Sequence, residues 1–447
     1  MDRRKFLQIA GLSGLSVFTP VFARKAKAAT YPGPFYLMFS ARGGWDPTYL
    51  CDPKPMGDFN RVYAYDPQAP TQAGTIPYAD IGFTLADLGL TDPMSSSFLM
   101  SNADFFAAHA SRLLVVNGIN METNNHLRGV TTIWSGRGQA GYPSLAALVA
   151  AATDPTLPLA FISSGGYDAT EKLVPVTRLN SVTSFRNIAE PNRISPTNPD
   201  STAQYHMTST ADRIRQAQAS RLTAQVDGFN LPTLKGSSSA LFLARQDDGV
   251  LASVPLPDTL ITLPGELADL QRMLQQIQFA LAAFEAGLAV AVNLELGGFD
   301  THGNHDRDQV RQLAKLMFGI DYLINESIAK GLDGSLVVTV GSDFGRGKGY
   351  NGPGAADGKD HWPVGSAMFF GTGIAGDRVI GGTDDVDQLP RLVDPTTLAL
   401  TDDEESGVEI KCADLHLSLR EHAGIAGSDE AGRYPLPGDG LPGLFTG

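Results

Sequence analysis

Short apolar runs that stop at glycine recur along the chain. Phe35-Tyr36-Leu37-Met38-Phe39 is apolar throughout and ends at Ser40-Ala41-Arg42-Gly43-Gly44, which reads as a strand buried on both faces. Leu113 to Val116, Leu159 to Ile162, Leu288 to Leu294 and Leu336 to Val340 repeat the pattern, with shorter runs at 368–370 and 379–380. Helical periodicity falls between them, over Asn102–Arg112, Asn124–Trp134, 265–287 and Cys412–Ala423. The clearest unit is 288–341. Its middle carries Val310, Leu313, Met317, Ile320 and Ile324, a 3-4-3-4 spacing that lines one helix face. The glycines of Gly331-Leu332-Asp333-Gly334 then stop the helix. Strand, amphipathic helix, strand is a βαβ crossover, so its two strands are expected to be parallel neighbours. The whole pattern predicts a doubly wound α/β fold with a mainly parallel sheet and helices on both faces.

Two stretches depart from this alternation. Residues 52–100 are rich in Pro, Gly, Asp and Ser and read as a long irregular excursion. From 180 to 260 the sequence turns polar, as in Ala211-Asp212-Arg213-Ile214-Arg215-Gln216, and predicts exposed helices forming an insertion or cap.

Composition narrows the function classes. The 447 residues hold 34 Lys+Arg against 48 Asp+Glu, a net charge of −14, so bulk attraction to nucleic acid or an anionic membrane is excluded as the main activity. Two cysteines, Cys51 and Cys412, cannot make a disulfide framework or a thiolate metal cluster. Whether they pair is left open by their spacing.

The first thirty residues read as an address. Arg3-Arg4-Lys5 precede a weakly apolar stretch to Phe22 that is broken by Gln8, Gly11, Gly14 and Pro20, too polar to span a bilayer. Ala26-Lys27-Ala28 supplies a small-x-small cleavage pattern. The segment resembles a twin-arginine signal peptide, which implies the twin-arginine export machinery as a partner and a periplasmic or extracellular location. Cleavage after Ala28 removes six basic residues and one acidic one, taking the charge from −14 to −19. The mature chain, 29–447, has no later run expected to cross a membrane.

Candidate chemistry follows the apolar runs. Open α/β sheets place ligands beyond the carboxyl ends of their strands. Gly43-Gly44-Trp45-Asp46 follows the first run, Gly297-Gly298-Phe299-Asp300-Thr301-His302-Gly303-Asn304 the 288–294 run, and Gly341-Ser342-Asp343-Phe344-Gly345-Arg346 the 336–340 run. Lys359-Asp360-His361-Trp362 comes later. Three carboxylates at adjacent strand ends repel one another unless a cation lies between them. We therefore expect Asp46, Asp300, His302, Asp343 and His361 to hold one or two divalent ions. Oxygen and imidazole donors suit zinc, manganese, magnesium or calcium. Arg346, and less directly Arg42 or Lys348, are candidates to grip an anionic substrate. Glu295 is a candidate outer support for a ligand. His305 is expected to start a helix facing solvent, and His109, His206, His416 and His422 to serve packing or the surface.

The Asp300-Thr301-His302-Gly303-Asn304 string, Ser342-Asp343-Phe344-Gly345-Arg346 and Asp360-His361, together with the twin-arginine start, resemble the domain of unknown function 1501 family, which is similar to the alkaline phosphatase superfamily. The resemblance implies an alkaline-phosphatase-like fold and a metal-dependent hydrolase of a phosphate or sulfate ester. It matches Asp46 to the superfamily's metal-binding aspartate after the first strand, Asp300 and His302 to the later aspartate–histidine pair, Asp343 to the next strand-end carboxylate, and His361 to the late histidine. One departure stands out. Where the superfamily places a hydroxyl nucleophile, this chain reads Met121-Glu122-Thr123-Asn124-Asn125-His126-Leu127, with neither serine nor cysteine. Thr123 is the remaining candidate nucleophile and His126 a candidate base or ligand. The alternative is a non-catalytic envelope or surface protein that binds polysaccharide or a partner on the same scaffold.

Overall fold

The computed structural model describes residues 31–446 except 180–181, 197, 199, 229–250, 252–253 and 258–259. The twin-arginine segment lies outside the described residues, as does part of the expected insertion.

One eight-stranded sheet organises the chain. In chain order its strands are β1 (Phe35–Ala41), β4 (Leu114–Asn120), β5 (Phe161–Ser163), β6 (Val176–Arg178), β7 (Ala291–Leu296), β8 (Leu336–Ser342), β11 (Val364–Gly371) and β12 (Arg378–Gly381). The short pairs β2 (Gln72–Ala73) with β3 (Ile76–Pro77), and β9 (Gly345–Arg346) with β10 (His361–Trp362), stand outside it. The spatial order is β12-β4-β11-β8-β1-β7-β5-β6. Every neighbouring pair is parallel except those made by β11, which runs antiparallel to both β4 and β8.

The helices are α1 (Asn102–His109), α2 (His126–Ser135), α3 (Leu145–Thr153), α4 (Val182–Ala189), α5 (Thr208–Gly228), α6 (Ala268–Glu285), α7 (His305–Ala329), α8 (Cys412–His422) and α9 (Asp429–Gly432). All seven residues of β1 are buried, because strand side chains alternate and both sides are covered. Tyr36 and Met38 share one apolar cluster with Ile133 and Trp134 of α2, Leu145 to Val149 of α3, and Leu415 and Leu419 of α8. Leu37 and Phe39, both fully buried, point the other way, leaving that side for α6, which packs on β7 and on α7. The expected stripe of α7, Val310, Leu313, Met317, Ile320 and Ile324, is buried throughout.

The β7–α7–β8 crossover forms as expected, with one correction. β7 and β8 are parallel but not neighbours; β1 pairs with each and lies between them. A strand with two buried apolar faces belongs at the sheet centre, and periodicity within 288–341 carries no information about a strand 250 residues earlier. Residues 52–100 are irregular apart from the β2–β3 pair and a 3-10 turn at Pro93–Phe98. Within 180–260, α5 is largely exposed. No described helix is long and apolar enough to cross a membrane.

Candidate metal centre

Parallel strands bring their carboxyl ends to one rim, and the reversed β11 brings its amino end to the same rim. Five segments therefore converge there: 42–46 after β1, 121–126 after β4, 297–304 after β7, 343–346 after β8, and 359–362 before β11.

The turn after β1 is held by its own backbone. The Gly43 and Gly44 N–H groups each donate to Asp343 Oδ1 at 2.8 Å. Their carbonyls accept from Arg346, Gly44 O from Nε at 3.0 Å and Gly43 O from Nη2. A side chain at Gly43 is excluded twice: φ is +124°, and a Cβ would lie 2.4 Å from the Asp300 nitrogen. Ser342 Oγ adds a donor bond to Ala41 O at 2.6 Å and receives the Trp45 N–H at 2.9 Å.

Around this frame three imidazoles face one carboxylate. Asp300 Oδ1 lies 3.1 Å from His302 Nε2 and 3.1 Å from His361 Nε2, while Oδ2 lies 3.4 Å from His126 Nε2. His302 Nε2 and His361 Nε2 are 2.9 Å apart. One potential ligand atom from each of His126, Asp300 and His361 lies within 4.8 Å of the other two.

The far nitrogens decide the tautomers. His126 Nδ1 is 2.5 Å from Asp343 Oδ2, His361 Nδ1 is 2.8 Å from the Asn124 carbonyl, and His302 Nδ1 is 3.3 Å from Asp360 Oδ1. The hydrogen-bonded oxygens behind His126 and His361 favour the proton on Nδ1 and leave each Nε2 with a lone pair, while Asp360 stands near His302 Nδ1 without a hydrogen bond. The Nε2 atoms of His126, His302 and His361 and the Asp300 carboxylate then face one space, a donor set suited to a divalent ion. This is the arrangement in which outer acceptors orient imidazole metal ligands. The Phe344 ring lies under His126 and His361, with centroids 4.7 and 4.4 Å away.

Electrostatics agree. Partial burial alone raises the Asp300 carboxyl, but the hydrogen bond and the charge of Arg346, 2.6 Å away, outweigh it and bring the pKa down to about 2. The carboxylate is held ionised.

A family model described as "Protein of unknown function (DUF1501)" matches residues 36–408. The chain belongs to the DUF1501 family. Among solved structures this DUF1501 chain is similar to Ps i-CgsB in complex with k-i-k-neocarrahexaose, at 9% identity, with 92% of this chain and 75% of that one covered and a TM-score of 0.37. It is also similar to BT1596, a 2-O GAG sulfatase, at 12% identity, 93% and 74% coverage and TM-score 0.34. The alkaline phosphatase from the Antarctic bacterium TAB5 is similar at 9% identity, 78% and 94% coverage and TM-score 0.30. No curated protein matches the sequence significantly.

Of the residues expected to hold metal in this DUF1501 protein, Asp300, His302 and His361 come together. Asp343 adjoins them one step out, orienting His126. Asp46 does not join them. Its Oδ1 accepts from Thr48 N and Oγ1, and its Oδ2 from His305 Nε2 at 3.0 Å and Lys359 Nζ at 2.7 Å. His126, expected from the sequence to be a base or ligand, supplies the third imidazole.

Arg346 is corrected in role. Its side chain is fully buried and donates to Gly43 O, Gly44 O, Lys359 O and Asp300, so it braces the loops and is not placed to grip a substrate. Arg42 pairs with Glu295, and Lys348 with Asp387. Glu295 receives the Gly166 N–H at 2.7 Å and so steadies that turn instead of a ligand. His305 does begin α7 but is wholly buried; desolvation, with the nearby Lys359 charge, depresses its pKa to about 4 against the pull of Asp46. Thr123 Oγ1 receives the Asn125 N–H at 3.2 Å, and Asn125 caps α2. His109 has an unforeseen partner in Asp321 at 2.8 Å. Cys51 and Cys412 are both free and buried.

Sequence reasoning quoted Lys359 and Asp360 without giving either a role, and missed Gln309. Gln309 Nε2 donates to Phe299 O and Thr301 Oγ1 at 2.9 and 3.0 Å, fixing the 299–301 turn. Its position on the buried face of α7, among apolar neighbours, was the available signal.

Proposed function

We propose that this protein is an exported, metal-dependent hydrolase of a phosphate or sulfate ester. The observation that carries the proposal is the convergence of three imidazole Nε2 atoms on Asp300, with His126 and His361 each hydrogen-bonded from behind by an oxygen. His126, Asp300, His302 and His361 are the ligands. A donor set of three imidazoles and a carboxylate, without thiolate, favours zinc over magnesium or calcium. A divalent ion held there supplies Lewis-acid polarisation of an ester oxygen.

The protein's own residues do the rest. Asp343 holds His126 in the ligating tautomer and the Asn124 carbonyl does so for His361, while Asp360 stands beside His302 Nδ1. Arg346 keeps the Asp300 carboxylate ionised and ties it to the turn after β1. The twin-arginine start, with cleavage after Ala28, places the mature protein in the periplasm or outside the cell, and 180–260 forms a cap or insertion on the 29–447 domain.

One observation favours a second reading, a metal-containing binding protein without turnover. Asn125 stands at the α2 cap, and the Thr123 hydroxyl is engaged in the turn before it. Elemental analysis of purified mature protein, followed by phosphatase and sulfatase substrates, separates the two. Stoichiometric metal that is lost in Asp300→Ala, with ester turnover, is the expected result. Metal without turnover selects the binding protein, and metal-free protein refutes both.

A further inference from the structure

Asp46 follows the first strand and was expected to hold metal, yet it already has a cation. Asp46 and Lys359 are both fully inaccessible, and Lys359 Nζ lies 2.7 Å from Asp46 Oδ2 and 2.5 Å from the Phe59 carbonyl. The Tyr49 and Tyr350 rings stand 5.2 Å from the same nitrogen, an aromatic enclosure that suits a cation. The two phenols are tied down in turn, their oxygens 2.7 Å apart and 2.5 and 2.6 Å from Asp306 Oδ1, with two hydroxyl protons shared among the three contacts. His305 fills the remaining approach to Asp46 Oδ2, and its other nitrogen receives the Thr301 hydroxyl at 2.7 Å. A second divalent ion at Asp46 would have to lie beside a buried ammonium, where like charges repel with little screening.

We infer that Lys359 is the resident cation of Asp46, so that the protein binds a single divalent ion per chain, at His126, Asp300, His302 and His361. The inference rests on the metal reading above and narrows it from one or two ions to one. The ion pair also connects to the centre through the backbone. The Lys359 carbonyl accepts from Arg346 Nη1 at 3.0 Å, and Arg346 Nη2 holds Asp300. Asp360 and His361 follow directly in the chain. The lysine thus anchors the segment that delivers one ligand and stands beside another, without ligating anything itself.

The experiment uses the full mature chain with zinc as the only probe, read by native mass spectrometry and elemental analysis at saturating zinc. Wild type is expected to hold one ion per chain, and Asp300→Asn none. Asp46→Asn alone strands a buried ammonium and is expected to melt early, so the decisive variant neutralises both partners, Asp46→Asn with Lys359→Met. That pair variant is expected to keep one ion, with affinity within about tenfold of wild type. Two ions in wild type, or loss of the ion from the folded pair variant, overturns the inference while leaving a metal centre standing. No ion in wild type removes the metal reading and this inference with it.

Discussion

Asp343→Asn tests the tautomer argument with the smallest possible change. Asp343 is almost wholly buried; Oδ1 receives Gly43 and Gly44 N–H, and Oδ2 faces His126 Nδ1 at 2.5 Å. The two glycine donors orient an asparagine at this position, because its NH2 cannot face two N–H groups. The amide oxygen therefore stays on the turn and the NH2 replaces Oδ2. A donor now meets His126 Nδ1, which must become the acceptor, and the imidazole proton moves to Nε2, the nitrogen aimed at Asp300. His126 can then ligate only in the disfavoured tautomer. Loss of such an outer acceptor weakens metal binding by about tenfold to a hundredfold, or about 1.4 to 2.7 kcal/mol. Folding should fall by only about 1–2 kcal/mol, since the turn keeps its acceptor. Zinc affinity, measured by competition with a chromophoric chelator, is the assay, with circular dichroism and a thermal melt as folding controls. Wild-type zinc affinity in folded Asp343→Asn would refute the reasoning.

Two other outcomes are expected. Burial is the main cause that depresses the His416 pKa, to about 4 from 6.5, and its Nε2–H donates to the Ile133 carbonyl at 2.9 Å. The unfolded chain therefore binds this proton first as pH falls, so the stability is fully present above about 6.5 and is lost on the way down to about 4. The loss is about 2 kcal/mol between pH 7 and 5, and urea midpoints for His416→Gln should show a pH dependence smaller by that amount. Gly358→Ala would place a Cβ 1.9 Å from the His302 carbonyl carbon, backbone that has no rotamer with which to yield. The segment carrying His361 must then move away from His302, so zinc affinity should drop at least about tenfold alongside a cost of about 1–3 kcal/mol in stability; an unchanged zinc titration would contradict the shared centre.

The sequence determined more of this protein than its length of irregular chain suggests. Apolar runs fixed the buried strands, because a strand covered on both faces is mostly apolar, as Phe35 to Phe39 of β1 show. The 3-4 spacing fixed the buried stripe of α7. The rule that functional groups gather at strand ends singled out Asp300, His302 and Asp343, since each follows an apolar run within a few residues, and the fold brings all three to one rim. Periodicity is local, however, and the site is not. Only the sheet order could show that β1 separates β7 from β8, or that a reversed β11 carries His361 to the rim by its beginning and not its end. Only the folded chain could reveal that Lys359, 313 positions from Asp46, neutralises that aspartate. Nor does residue type reveal that Arg346, a natural anion grip, is spent on carbonyls. Which charges meet is decided by the tertiary structure, because electrostatic partners are chosen by distance in space and by burial, and neither is written in the spacing along the chain.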